Sequence, residues 1–239
     1  MDLYGQIFLR KSSRKYSMTP LAEAELQAME DFIRQMRPLF PDVEIRHRLV
    51  GPEQVKGILT PRAPHYVVIS GATRPYRDLA AGFLFQQLDL YLSCRGFGTC
   101  WLGAAKGRDM PFAKEDILAI CFGETVGPHT RTAAEFKRKS LGEIASGEDS
   151  RLEAARLAPS GINAQPWYFI AQDGAIHVYQ AVSGKLKAMF YDLEELDVGI
   201  ALCHLALATE ALGGSFDFQT KREGAPSAPR GFVYVGTVI

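Results

Sequence analysis

After Thr19-Pro20, apolar residues recur at Ala22, Leu26, Met29, Ile33 and Met36 with spacings of 4, 3, 4 and 3. That is the period of a helix with one buried face, and Pro20 suits its first position. The period then changes. In "VEIRHRLV" (43–50), Val43, Ile45, His47 and Leu49 alternate with Glu44, Arg46 and Arg48, which predicts a strand with one wet face and makes His47 a sheet-face residue.

The remainder reads as one pattern written twice: a β-rich apolar run, a long apolar helix closed by glycine, and a second β-rich run ending in glycine. In the first copy these are "HYVVIS" (65–70), a helix from about Arg77 to Arg95 followed by "GFG", and "ILAICFG" (117–123). In the second they are "WYFIAQ" (167–172) joined by an Asp173-Gly174 turn to "AIHVYQ" (175–180), a helix near 192–212 before Gly213-Gly214, and "GFVYVG" (231–236);. Each copy alone supplies too few elements to cover a sheet on both faces, so the halves are expected to pack together. The seam falls near "SGEDS" (146–150), dividing the chain into 1–146 and 147–239;.

Charge narrows the choice of partner. Lys+Arg 27 against Asp+Glu 27 gives no overall reason to expect nucleic acid or an anionic membrane, so any basic patch is local. No segment approaches the roughly 20 apolar residues that span a bilayer, and "IFL" near the start is too short for a secretory core, so a cytoplasmic protein is expected. Cys94, Cys100, Cys121 and Cys203 lack Cys-x-x-Cys spacing or nearby histidines, which predicts buried reduced thiols and no metal site.

Four segments carry candidate chemistry. "RKSSRKY" (10–16) packs Arg10, Lys11, Arg14 and Lys15 around Ser12 and Ser13; guanidinium forks and hydroxyls suit a phosphate, and a solvated basic arm is the alternative. "SCRGFGTCWLG" (93–103) places Gly96, Phe97, Gly98 and Thr99 after a helix. Its glycines either bring backbone N–H groups close to a flat ligand or simply cap the helix. "EFKRKSLGE" (135–143) is a second basic cluster around Lys137, Arg138 and Lys139, a charged surface loop or a second contact to the same anion. "APSGINAQPW" (158–167) is bounded by Pro159 and Pro166, with Ser160, Gly161, Asn163 and Gln165 between; its amides either read a heterocycle edge or close the turn. His65, His177 and His204 lie in strand-like or buried-helix contexts and are expected to be structural. Glu194-Glu195 reads as helix-start electrostatics.

Taken in order, these four segments resemble the nitroreductase superfamily. Its members carry an Arg-x-Ser-x-(Arg/Lys) start, a Pro-Ser-x-x-Asn-x-Gln-Pro-Trp loop, a Gly-Leu-Gly-Thr-like turn and a late basic segment. The resemblance covers most of the chain except about 38–64, 104–116 and 217–230. It implies an α+β fold: two half-units, each a small mainly antiparallel sheet packed with helices, fused as a pseudo-dimer. The order of motifs departs from the usual member, because the Pro-Ser-x-x-Asn loop follows the glycine turn. In the usual homodimer that loop comes from the second subunit, so one chain here would imitate a dimer, with a conventional homodimer as the alternative.

The resemblance further implies FMN as cofactor, NAD(P)H as co-substrate and a small electron-poor acceptor such as a nitroaromatic or a quinone. No catalytic side chain is assigned, since flavin carries the electrons. Carried over by motif, Arg10, Ser12 and Arg14, with Lys11, would lie near the flavin phosphate and ribityl chain, and Arg138 or Lys139 would add cationic contacts. Pro159, Ser160, Gly161, Asn163 and Gln165 would reach the ring from the other half, and a backbone N–H among Gly96, Phe97, Gly98 and Thr99 would approach its reactive nitrogen. One complete site per chain is expected, the symmetry-related one being vestigial. Heterocycle dehydrogenation or dehalogenation on the same scaffold, or a degenerate flavin-binding or scaffold protein, are the alternatives.

Overall fold

The structure, a computed structural model, describes residues 1–57, 60–108, 113–182, 193–221 and 223–239. The elements run α1 (Leu3–Ile7), α2 (Glu23–Ile33), β1 (Arg46–Val50), β2 (Val55–Lys56), β3 (His65–Ser70), α3 (Arg77–Cys94), β4 (Gly98–Leu102), β5 (Lys106–Gly107) and β6 (Asp116–Gly123). They continue with α4 (Leu141–Ile144), β7 (Ala145–Ser146), α5 (Leu152–Arg156), β8 (Trp167–Gln172), β9 (Ala175–Ala181), α6 (Glu194–Ala211), β10 (Phe218–Gln219) and β11 (Phe232–Val238). The fold is α+β, with mainly antiparallel sheets.

Two sheets repeat one topology. The first has the order β1-β3-β6-β4 and the second β8-β9-β11-β10, with β7 added in parallel beside β8. In each, two antiparallel strands precede a long helix, the next strand lies at an edge, and the last returns to the middle. The strand order therefore repeats, but its correspondence differs from the apolar pattern. "HYVVIS" matches β9, not "WYFIAQ", and the half-wet strand β1 matches β8. The reason is burial: β3 and β9 are central strands lined by buried residues, whereas β1 and β8 have partly exposed positions.

Other differences are local. The first amphipathic helix begins at Glu23 with Ala22 as its cap, beyond Thr19-Pro20, and β1 begins at Arg46 instead of Val43. "GFG" leads straight into a strand, β4, that periodicity alone did not separate from a loop.

Helices α3 and α6 are buried on nearly all sides and cross at two glycines. A Cβ on Gly82 would stand 2.0 Å from the Leu196 carbonyl oxygen, and one on Gly199 would stand 2.1 Å from that of Leu79. Each glycine is the sixth residue of its helix, and each faces the carbonyl three residues before the other glycine. The crossing is thus reciprocal, as a two-fold relation requires. One core runs through both halves: Val67, Ile69, Leu79 and Phe83 share a cluster with Trp167, Phe169, Val178, Leu196 and Val238. Cys100, Cys121 and Cys203 are free and buried, while Cys94 is half-buried.

Candidate functional site

The N-terminal arm lies along β4. Ser13 donates its backbone N–H to the Thr99 carbonyl at 2.8 Å, and Ser12 and Tyr16 bridge to Thr99 and Thr125. Gly98 permits this approach, because a Cβ there would stand 2.6 Å from Ser13 Oγ and 2.1 Å from Thr125 Cγ2. Gly96, at φ +90, closes α3 with open space around it;. Gly96, Phe97, Gly98 and Thr99 support the arm and are not among the described lining residues of the cleft below. The same segment reaches the site further along, through Trp101 and Gly103.

Arg10 is held by the protein itself. It is 0% exposed, its Nε lies 3.0 Å from Asp89 Oδ2, and it is not among the described lining residues of the cleft. Asp89 also accepts from Thr99 Oγ1 at 2.6 Å and Gln86 Nε2 at 3.2 Å. A buried carboxylate needs a cation beside it, so this guanidinium is committed to the interior. Arg10→Ala would leave Asp89 charged and unpaired, and the flavin-free protein should lose about 3–5 kcal/mol of stability; thermal denaturation of that form measures it, and an unchanged midpoint would refute the structural role.

The same polar network continues to His204. Gln86 Oε1 accepts from Trp101 Nε1 at 3.1 Å, and Gln86 Nε2 lies 3.1 Å from His204 Nε2. His204 Nδ1 lies 2.8 Å from the Ala154 carbonyl, which can only accept, so Nδ1 carries the proton;. Burial pushes His204 down to about 3, and it stays neutral. His65 accepts the Leu21 N–H at 2.9 Å and His177 pairs with Thr237 at 2.9 Å, so all three play the structural part expected of them.

The loop 159–165 is held from both halves. Gly161 donates its N–H to both carboxylate oxygens of Asp197 at 3.1 Å. Asn163 donates from Nδ2 to the Lys137 carbonyl at 2.7 Å and accepts from Arg138 Nη1. Gln165 is buried, donates its N–H to Ser160 Oγ at 2.9 Å, and accepts the Lys139 N–H at 2.8 Å. Lys139 Nζ donates to the Ala164 and Gln165 carbonyls at 3.1 and 3.3 Å. Lys139 and Gln165 therefore brace the loop instead of facing the opening, because the loop's own carbonyls take up the ammonium.

Between arm and loop lies a cleft of about 420 Å³ lined by Lys11, Ser12, Arg14, Arg131, Glu135, Lys137, Arg138, Pro159, Ser160, Ile162 and Asn163. It shares Ser12, Arg14, Pro159, Ser160 and Ile162 with an apolar recess of about 80 Å³, which adds Trp101, Leu118, Leu196 and Ile200. One end is basic and the other is greasy. Five cations and a single carboxylate, Glu135, are among the described lining residues of the basic end. Burial pushes Arg138 down to about 9, helped by Arg131, Arg10 and Arg156, and burial with Arg10 pushes Arg131 down to about 10. A guanidinium keeps its charge at neutral pH; burial is the larger cause of both shifts, and the neighbouring cations add to it. Arg138 Nε and Arg10 Nη1 are buried with no hydrogen-bond partner among the described residues.

Sequence reasoning missed Arg131, which lies seven residues ahead of Arg138 and stacks its guanidinium 4.0 Å over Phe136. It also missed the wall contributed by α6. Leu196, Asp197 and Ile200 form one stripe at helical spacing, so their shared face was legible although its ligand-facing role was not;.

A family model described as "Putative TM nitroreductase" matches residues 2–209. The chain belongs to this nitroreductase family. The crystal structure of a putative nitroreductase from Thermotoga maritima has 20% identity and TM-score 0.70, covering 100% of this chain and 92% of that one. A nitroreductase family protein from Clostridium difficile has 17% identity and TM-score 0.47, covering 62% of this chain and 98% of that one. A Putative NADH dehydrogenase/NAD(P)H nitroreductase from Bacteroides thetaiotaomicron has 15% identity and TM-score 0.48, covering 62% and 98%. No curated protein matches the chain.

The two crossing helices of this nitroreductase-family chain carry different side chains beside their glycines. Leu79 and Phe83 stand three residues before and one after Gly82, as Leu196 and Ile200 do around Gly199. Around Phe83 the rings are close together: Phe83 lies 5.8 Å from Phe216, and Phe40 lies 5.2 Å from Tyr76 and 6.1 Å from Phe218. Phe40 precedes β1, the position that the loop 159–165 holds before β8.

Proposed function

We propose that the protein is a single-chain pseudo-dimeric, FMN-dependent oxidoreductase that takes hydride from NAD(P)H and delivers it to an electron-poor small molecule, a nitroaromatic or a quinone. The half-units are 1–146 and 147–239, and one FMN lies between them. The observation that carries this reading is the two-ended cleft: a cationic end joined to an apolar recess at Ser12, Arg14, Ser160 and Ile162. A phosphate matches the orphaned Arg138 Nε and the depressed guanidinium pair, and a flat heterocycle matches the recess.

When bound, FMN supplies two-electron chemistry by accepting hydride and passing it on. Lys11, Arg131, Lys137 and Arg138 would neutralise the phosphate. Arg14 lines both spaces, so its charge would reach the ring's edge and stabilise negative charge developing there, without reorganisation at the moment of reaction. Trp101, Leu118, Leu196 and Ile200 would exclude water from one face. The loop 159–165 would close the ring's other side, since Asp197 and Arg138 already hold its backbone and amide.

Purified protein should carry one FMN per chain, run at the mass of a monomer, and lose its flavin absorbance anaerobically when NADH or NADPH is added. Two flavins per chain would contradict the single-site reading. Flavin that neither nucleotide reduces would point to another donor or to a different flavin reaction, and failure to bind flavin would leave a scaffold protein.

A further inference from the structure

Cys100 on β4 and Cys121 on β6 stand directly opposite each other in the antiparallel register, and both side chains belong to one small apolar cluster with Tyr16, Tyr66, Val68 and Ala119. Their spacing suits a disulfide. Thr99 turns its carbonyl outward to the Ser13 N–H, so by strand alternation Cys100 directs its own backbone groups at β6, and such a hydrogen-bonded pair holds its Cα atoms about 5.5 Å apart. Disulfides span Cα separations of roughly 4.4–6.8 Å, so both strands can keep their places when the bridge forms.

The pair is tied to the N-terminal arm. Cys121 Sγ donates to Tyr16 Oη at 3.4 Å, and Tyr16 Oη donates to the Ser13 carbonyl at 2.6 Å. Ser12 and Arg14, on either side of Ser13, line the cleft. A hydrogen bond from Cys121, with Arg14 and Arg10 nearby, holds the Cys100 thiol below its ordinary value against the effect of burial, whereas the bond to Cys100 together with burial pushes Cys121 up. Cys100 is therefore the thiol that ionises. Cys121 keeps its proton, which serves Tyr16 while Cys100 is neutral and Cys100 once it is charged.

We propose that Cys100 and Cys121 are a redox modification site, at which hydrogen peroxide forms a cross-strand disulfide that loosens the N-terminal arm. The Cys100 thiolate attacks one peroxide oxygen; the O–O bond breaks, a sulfenic acid forms, and the released hydroxide takes up the proton that Cys100 gave away. The Cys121 sulfur then attacks the Cys100 sulfur, and the S–S bond forms as the sulfenic oxygen leaves as water with the Cys121 proton. Two electrons pass from the thiols to peroxide, and a thiol reductant returns them. Oxidation withdraws the Cys121 donor from Tyr16, which weakens the chain of hydrogen bonds that holds Ser13. Both thiols are almost fully buried, so a small neutral oxidant reaches them and a bulky disulfide such as oxidised glutathione does not.

The purified full-length protein is treated with hydrogen peroxide, its remaining thiols are blocked in denaturant, and the products are read by mass. Two of the four free thiols should disappear, the chain should be lighter by two hydrogen atoms, the linked peptides should contain Cys100 and Cys121, and dithiothreitol should reverse all three changes. Limited trypsin cleavage after Arg14 and Lys15, both exposed, should run about threefold faster in the oxidised protein, the size expected for loss of one weak hydrogen bond. Cys100→Ala retains the Cys121 donor, so peroxide should leave its cleavage rate unchanged. Survival of all four thiols, a link through Cys94 or Cys203, oxidised glutathione acting as fast as peroxide, or a disulfide that leaves cleavage of the arm unchanged would each overturn the proposal. The wild-type measurements decide the bridge even where Cys100→Ala fails to fold. None of these readouts uses flavin, so they stand or fall apart from the functional reading above.

Discussion

Arg138→Ala should weaken FMN binding by about ten- to a hundredfold, because a charge-assisted hydrogen bond contributes on the order of 1.5–3 kcal/mol. Arg138 is the residue to remove for three reasons. Its Nε is buried without a partner among the described residues, it lines the cleft, and burial beside Arg131 and Arg10 depresses it to about 9. Arg10, the first arginine of the motif, has spent its charge on Asp89. Riboflavin serves as the comparison, since it has the same ring without the phosphate. Titrations followed by quenching of flavin fluorescence should show FMN affinity collapsing and riboflavin affinity moving little. Equal losses for both would mean that the variant acts by releasing Asn163, its loop partner, and unchanged FMN affinity would remove the phosphate assignment. Arg138→Lys should recover only part of the loss, because an ammonium cannot reproduce the fork that spans Asn163 and the Leu157 carbonyl;.

Gly82→Ala should destabilise the protein by about 1–3 kcal/mol, lowering the melting temperature by roughly 4–10 °C. The sign is the informative part. In an open helix the same change stabilises by up to about 1 kcal/mol, but here the new methyl would stand 2.0 Å from the Leu196 carbonyl oxygen and 3.0 Å from the Ile200 nitrogen. Backbone atoms cannot rotate aside, so the two helices must move apart. Gly199→Ala should behave alike, and the double variant should cost less than the two together, since one separation relieves both clashes. Leu196 and Ile200 also wall the recess, so FMN affinity should fall with stability. Gly142→Ala, where nothing lies within 4 Å, should cause no such loss. A Gly82→Ala protein that melts at or above the wild-type temperature would show that the crossing is looser than described.

Much of the framework was legible along the chain. β3, β8 and β9 occupy the segments that the apolar runs predict, with the Asp173-Gly174 turn between the last two, and α3 and α6 end at the glycines expected to close them. Apolar runs succeed there because β3, β9 and both long helices are buried on nearly all sides, and turn residues mark where they end;. The pattern was weaker where a short strand such as β4 follows a helix without a turn of its own, and it mispaired the repeats because an apolar run reports burial, not place in a sheet.

The site divides in the same way. Order and spacing of the motifs named its materials: an arginine-serine arm, a late basic segment and a Pro-Ser-x-x-Asn loop, all of which contribute residues to the cleft. What those side chains do there depends on partners far along the chain. Arg10 pairs with a carboxylate 79 residues away and Lys139 with carbonyls 25 or 26 residues away, while Arg131 and Arg138 line the cleft. The sequence by itself determined the elements, the doubled pattern and the chemistry available. Only the tertiary structure decided which cations line the cleft, which side chains of α6 wall it, and that Ile162 takes a left-handed turn at its rim. The physical reason is that a charge or a cavity is satisfied by whatever packing brings within a few ångströms, and long-range packing leaves no local period in the sequence.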